Sequence, residues 1–253
     1  MTETLPPLPR TVLELTGADR VTFLQGLISN DISDLDGRLV YAALLSPQGK
    51  YLADFFLTAR GDAILMDLHR DLAPKIAQRL GMYKLRADVA IAATDLAVGW
   101  GTGDAPDGAL TDPRDPAMGW RHYAVTPVVT GAPAEYDALR VAHVVPDTLV
   151  ELIPDQSYIL EMGFERLHGV DFKKGCYVGQ EVTARMKHKT ELRKGLVQVE
   201  IDGAAPVGTP IMAGEKEVGT LFTQSGDRAL AYLRFDRAGG DMVAGGATVR
   251  WTA

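Results

Sequence analysis

The stretch Lys173–Arg185, KKGCYVGQEVTAR, holds two glycines, the chain's one cysteine, a tyrosine, a Gln–Glu pair and three cations. Gly175 and Gly179 let a backbone approach closely or take positive φ, which sets Cys176 and Tyr177 on a sharp turn. The residues from Val178 to Arg185 suit a helix with Gln180 or Glu181 in its first turn. Free N–H groups there, beside Lys173 and Lys174, suit an anion such as a carboxylate. The same surroundings stabilise a thiolate and so favour a nucleophilic Cys176. A tight turn around a buried, inert cysteine is the competing reading, and for a lone cysteine the commoner one. Tyr177 reads either as a platform for a flat ring or as a core aromatic.

Upstream, strand and helix signals alternate over the first 95 or so residues. Thr11–Leu15 reads as a strand, and Val21, Leu24 and Ile28 then share a helical face, with Asp19 placed to cap it. Leu39–Leu45 and Tyr51–Thr58 flank the turn SPQGK; Pro47 presets its dihedral and Gly49 tolerates positive φ, so the two strands form a hairpin. Ala63–Leu68 reads as a strand and Leu72–Leu80 as a helix, followed by strands at Val89–Ile91 and Leu96–Trp100. An antiparallel sheet with helices on one face accounts for this order, an α+β class. Residues 101–118, dense in Gly, Pro and Asp, read as a connection between lobes. Glu135–His143 is a short helix, and 144–175 is irregular. From Gly195 short strands recur at Leu196–Ile201, Pro210–Met212, Glu217–Thr223, Ala229–Arg234 and Ala247–Trp251, the texture of a small barrel or sandwich. The expected division is 1–190, in lobes 1–95 and 96–190, followed by 191–253.

The 253 residues are 46% hydrophobic and 23% charged, with mean hydropathy near zero, the composition of a globular chain rather than a disordered one. No apolar run reaches the ~20 residues a bilayer span needs, so no membrane partner is expected. Net charge of −7 gives no overall field for nucleic acid. One cysteine forbids an intrachain disulfide or an all-cysteine metal cage. With no leader visible in MTETLPPLPR, the expected location is the cytoplasm.

The pattern Lys174-Gly175-Cys176-Tyr177-x-Gly179-Gln180-Glu181, with Ala184 and Arg185 after it, closely resembles the signature of YgfZ-type folate-binding proteins. These are relatives of the glycine cleavage T-protein aminomethyltransferase, and they assist iron–sulfur cluster maturation. LELTGADRVTFLQGLISNDI, ALLSPQGKYLADFFL and LRADVAI resemble other stretches of that family, so the likeness covers almost the whole chain. It implies a T-protein-like three-lobed fold ending in a small β-barrel, with tetrahydrofolate bound centrally. The folate-binding residues it implies are Lys174, Gly175, Tyr177, Gly179, Gln180, Glu181, Arg185 and Gln156. Cys176 and Asp54 are the residues it implies for chemistry, and iron–sulfur assembly proteins or client enzymes are the partners.

The chain also departs from the T-protein pattern. Ala53 replaces the first acid of a G-G-x-x-D-D segment, leaving Asp54, a carboxylate whose pKa an apolar strand would raise toward that of a general base. A turn-making aspartate is the plainer alternative. Arg140-Val141-Ala142 lacks the glutamate of the T-protein R-x-E, and Pro154-Asp155-Gln156 has Gln in place of a family glutamate. These losses point to an accessory factor rather than a conventional turnover enzyme. Aminomethyl transfer and a non-catalytic scaffold are the alternatives. Lys173, Lys174, Arg185, Lys187, Lys189, Arg193 and Lys194 form a basic segment suited to folate's glutamate tail, or simply a solvated face.

Overall fold

The computed structural model describes residues 5–189 and 191–252. Residue 190, at the expected lobe boundary, and the first four residues of the stretch read for a leader lie outside the described residues, as does the Lys189 side chain.

The chain begins with β1 (Arg10–Thr16), α1 (Arg20–Gln25), β2 (Val40–Leu45), β3 (Tyr51–Arg60), β4 (Ala63–His69), α2 (Ala73–Lys84) and β5 (Ala90–Ala93). The five strands pair antiparallel in the order β2-β3-β4-β1-β5. The expected hairpin is there, with Val40 opposite Leu57 and Ala43 opposite Asp54. Asp19 sits at the N-cap position of α1 but makes no side-chain cap bond. Its carboxylate instead accepts from Asp88 N–H, tying α1 to the approach to β5. The helix itself is only 6 residues long.

Both faces of the β2–β3 hairpin are buried, which explains why VYAALL and YLADFFL read almost continuously apolar. Val40, Ala42, Leu44 and Phe55 pack with Leu24, Ile76 and Leu80 of the two helices. The alternate positions Tyr41, Ala43, Leu45 and Phe56 face a second core with Trp100, Tyr136, Ile159, Phe164 and Tyr177. The strand period of two thus divides one hairpin between two cores. Helices cover one face, as expected; the irregular chain of 144–175 and a second sheet cover the other.

That second sheet contains β6 (Ala97–Gly101), β7 (Leu110–Thr111) and β8 (Trp120–Ala124), in the order β6-β8-β7. β7 lies inside the segment read as connection. Its two residues are too few for a periodic signal, yet they carry Asp112 and Arg114 into the interior, where both are buried. Next come α3 (Pro133–His143) and α4 (Gln180–Lys189), then β9 (Lys194–Asp202), β10 (Pro210–Ala213), β11 (Lys216–Ser225), β12 (Arg228–Arg234), β13 (Met242–Ala244) and β14 (Ala247–Arg250). These six strands close into a barrel. Closure, rather than two packed sheets, decides between the barrel and sandwich readings.

Charges join the two sheets. Asp67 of β4 accepts from Arg10 Nε at 2.5 Å, Arg121 Nη1 at 3.0 Å and Tyr123 Oη at 3.0 Å. Arg121 also donates to Asp112 at 3.2 Å, and Arg114 grips Asp112 with Nε at 3.0 Å and Nη2 at 2.8 Å. Phe56 lies beneath all three guanidiniums, the nearest being Arg121, 3.7 Å from the ring centroid. With Asp54, three carboxylates balance three arginines. Burial opposes the Arg121 charge, but Tyr136, Asp67 and Asp112 outweigh it and hold Arg121 charged far beyond its ordinary range.

Burial also pushes the Asp112 carboxyl up, but Arg114 and Arg121 overcome that and bring it down to about 2. Its folded value lies below the ordinary ~3.9, so its stabilising contribution, roughly 2 kcal/mol, is present above pH 4 and fades as pH falls toward 2. A carboxyl-carbon NMR titration of Asp112 is expected to show a midpoint near 2, with urea stability declining over the same range. A midpoint near 4 contradicts this.

Candidate functional site

The signature loop is clamped from both sides. Before it, Asp171 N–H donates to Ser29 O at 3.0 Å, and Asp171 Oδ1 accepts from Lys173 N–H. Lys174 then turns inward. Its ammonium donates to Ile28 O at 2.7 Å, Asn30 O at 2.8 Å and Gln25 Oε1 at 3.3 Å. Three acceptors use its three N–H bonds, so Lys174 fastens the loop to the chain just past α1. Burial lowers its pKa to about 8, against the opposing pull of Asp31 and Asp171.

Tyr177 is buried in the second core, as in the core-aromatic reading. Between Lys174 and Tyr177 the chain bulges outward, leaving Gly175 and Cys176 exposed. The buried-cysteine reading is therefore set aside. Gly175 has negative φ, and a Cβ there would meet open space, so neither proposed reason for a glycine applies to it.

Gly179 meets both conditions. Its φ is +84°, and a Cβ would fall 2.7 Å from Ser46 O and 3.2 Å from Gly49 Cα. Gly49, at φ +72°, would in turn drive a Cβ to 2.7 Å from Val182 Cβ. The hairpin turn and the start of α4 thus meet glycine to glycine. Gln180 opens α4, and Glu181 pairs with Arg185 at 3.1 Å on its exposed face. Lys187 pairs with Glu165, so the basic segment is partly neutralised.

The other expected site residues lie apart from this patch. Gln156 is exposed, and its carbonyl accepts from Lys50 Nζ at 2.8 Å. Asp54 is buried, its carboxylate accepting from Tyr51 Oη at 2.6 Å, Thr148 Oγ1 at 2.6 Å and Tyr41 Oη at 3.0 Å. Burial raises its pKa, but the Arg10 charge and the Thr148 and Tyr51 hydroxyls outweigh it, so the carboxyl lies below its ordinary value. That is the reverse of the rise expected from its apolar strand. Ala142 is an exposed helix position, and Arg140 turns away from it to Glu151 at 3.0 Å and to Thr223 of the barrel at 2.9 Å.

Beside the loop lies a cavity of about 650 Å³, bounded by Asn30, Arg38, Tyr41, His168, Phe172 and Lys173, among others. That volume suits a cofactor-sized ligand. Lys173 of the expected basic segment lines it, and none of the residues expected to bind folate or do chemistry does. Sequence reading missed His168 and Arg38 here, and the buried acids Asp67 and Asp112 elsewhere. The lone acid in AILMDLH was the one available signal for Asp67, since such a residue in a buried strand must find partners.

Residues 193–253 match the family model for the CAF17 C-terminal beta-barrel domain. Over 89% of the chain, the sequence is 32% identical to the mitochondrial iron-sulfur cluster assembly factor IBA57 homolog of Mycosarcoma maydis, covering 63% of that protein. Over 92% of the chain it is 27% identical to mouse mitochondrial IBA57, covering 78% of it. The chain thus spans less than two thirds of the fungal relative. The glycine cleavage system aminomethyltransferase T of Bartonella henselae superposes with a TM-score of 0.73 over 95% of this chain and 81% of its own, at 14% identity, a likeness of fold. These likenesses fit a YgfZ/GcvT-like family. The relatives also overturn the cytoplasmic expectation, because they are named as mitochondrial proteins. A lone cysteine limits disulfides and does not specify a compartment.

Lys174→Met takes the ammonium donor from the Ile28 and Asn30 carbonyls and from Gln25 Oε1, and is expected to destabilise the fold by about 2 kcal/mol and to open the loop at 173–176 to limited proteolysis. Gly179→Ala, strained by its φ and by the Ser46 carbonyl, is expected to cost at least as much. Unchanged urea midpoints contradict both expectations.

Proposed function

We propose that this protein is a tetrahydrofolate-binding accessory factor in iron–sulfur cluster assembly or repair. The observation that carries the reading is the exposed Cys176, held on an outward bulge by two inward-facing neighbours, in a chain whose relatives are named as cluster assembly factors. One thiol cannot hold a cluster that wants about four ligands. Cys176 supplies one ligand of a cluster shared with an assembly protein or a client enzyme. A thiol on a clamped loop reaches such a partner without the chain reordering.

Tetrahydrofolate is assigned to the cavity beside the loop. Its volume supports this, as does the pairing of the Phe172 ring with Arg38 and Lys173, which suit the carboxylates of a glutamate tail. Lys174 contributes from behind, through the loop. Aminomethyl transfer would need Asp54 as a base, and a carboxylate with three hydroxyl donors and a lowered pKa suits that role poorly. Loss of Asp54 acts on stability instead, because the hydroxyls of Tyr41, Tyr51 and Thr148 lose their common acceptor.

Two measurements test the proposal. Calorimetric titration with tetrahydrofolate is expected to give micromolar binding, weakened about tenfold by Lys173→Ala with Arg38→Ala. No binding removes the folate half of the reading. In cells lacking the protein, Cys176→Ser is expected to fail to restore iron–sulfur enzyme activity while folding and binding folate normally. Full restoration removes the thiol's role.

A further inference from the structure

A second cavity, of about 370 Å³, has Arg10 and Tyr136 of the charge cluster in its wall and none of the signature residues. Its walls are mostly apolar: Trp100 of β6, the Tyr136 ring of α3, Pro133, and the prolines that precede β1. Charge is divided between its two sides. Arg10 and His69 occupy paired positions on β1 and β4, and Arg70, next in the chain, makes the sheet side cationic. Asp137 on α3 and Asp147 on the turn after it make the opposite side anionic.

Each side holds unused hydrogen-bonding capacity. The Arg10 side chain is only 6% exposed. Its Nε and Nη2 donate to the Asp67 carboxylate and carbonyl, and among the described residues Nη1 has no acceptor. Arg70 is exposed, and no described carboxylate pairs with it. Asp137 uses Oδ1 for both of its bonds from Arg140. Asp147 uses Oδ1 for Thr148 N–H. The second oxygen of each has no donor among the described residues.

We infer that this cavity binds a small zwitterion, an amino carboxylate with an apolar body. The carboxylate meets Arg10 Nη1 and Arg70, the ammonium meets the free oxygens of Asp137 and Asp147, and the body lies against Trp100 and Tyr136. A simple anion would meet the two aspartates, and a simple cation the arginines; a molecule with both charges meets favourable partners at each end. This inference is independent of the folate reading, since the two cavities share no lining residue.

The test uses ω-amino acids of three to eight carbons, each beside the carboxylic acid and the amine of equal length, titrated into the intact protein by saturation-transfer NMR and calorimetry. At least one amino acid of the series is expected to bind with a submillimolar constant, ten-fold or more tighter than its two single-charge counterparts. Arg70→Ala and Asp137→Asn are each expected to weaken it about five-fold. Both positions are partly or wholly exposed, and matching circular dichroism confirms that each variant is folded. Absence of binding to 10 mM across the series, equal binding by the simple acid, or affinity unchanged in both variants overturns the proposal.

Discussion

Asp67 is the point on which the interior turns. One carboxylate on β4 takes donors from β1 and from two residues of β8, and so fixes the first sheet against the second. An apolar contact there would tolerate sliding; a buried carboxylate does not, because any shift leaves a charge without a partner. Phe56 lies under the three arginines, and its face offers a negative surface where no further carboxylate would fit. The cluster balances three acids against three guanidiniums, a condition for keeping charge away from water. Such an arrangement adds little net stability over an apolar core, but it admits few alternatives.

From this point the geometry passes to the surface through the hairpin. β2 and β3 present Tyr41, Tyr51 and Asp54 to the second core, and their turn presents Gly49 to the start of α4. The signature loop therefore rests on a foundation that is charged below and glycine-tight above. Lys174 completes it by reaching back to the chain after α1. The exposure of Cys176 follows from these inward commitments, since the residues on either side of the bulge are occupied and the two between them have nowhere to go but out. The ordering cost of this loop is therefore met on folding.

The parts legible in the sequence were those written locally. The hairpin is announced by SPQGK between two apolar runs, the barrel by evenly spaced short strands, and the signature loop by its density of rare residues. The parts that escaped depend on partners far away in the chain. Nothing local in KKGCY says that Lys174 will meet carbonyls near residue 30 rather than a ligand. Nothing in YLADFFL says that the Asp54 carboxyl will find three hydroxyls, one of them from Thr148, and an arginine charge that reverses its expected pKa shift. β7 escaped for a different reason: a two-residue strand has no period to detect. Asp19 is the mildest case, in which a capping residue stands at the right position and spends its carboxylate elsewhere.

The barrel's attachment has a consequence for how the chain can be divided. Arg140 and Glu151 are buried together and share Thr223 of β11 as a partner, while Val141 packs with Phe222 and Leu230. The family model that begins at residue 193 therefore marks a unit of recognition rather than a separable one. Severed from the rest, the barrel would expose an apolar seam, and the remainder would open an ion pair to water along with the helix that carries it. Inheritance has treated this lobe as a module, whereas its energetics treat it as a wall of the same room. A graft of the barrel onto another host would have to bring α3 and the turn after it.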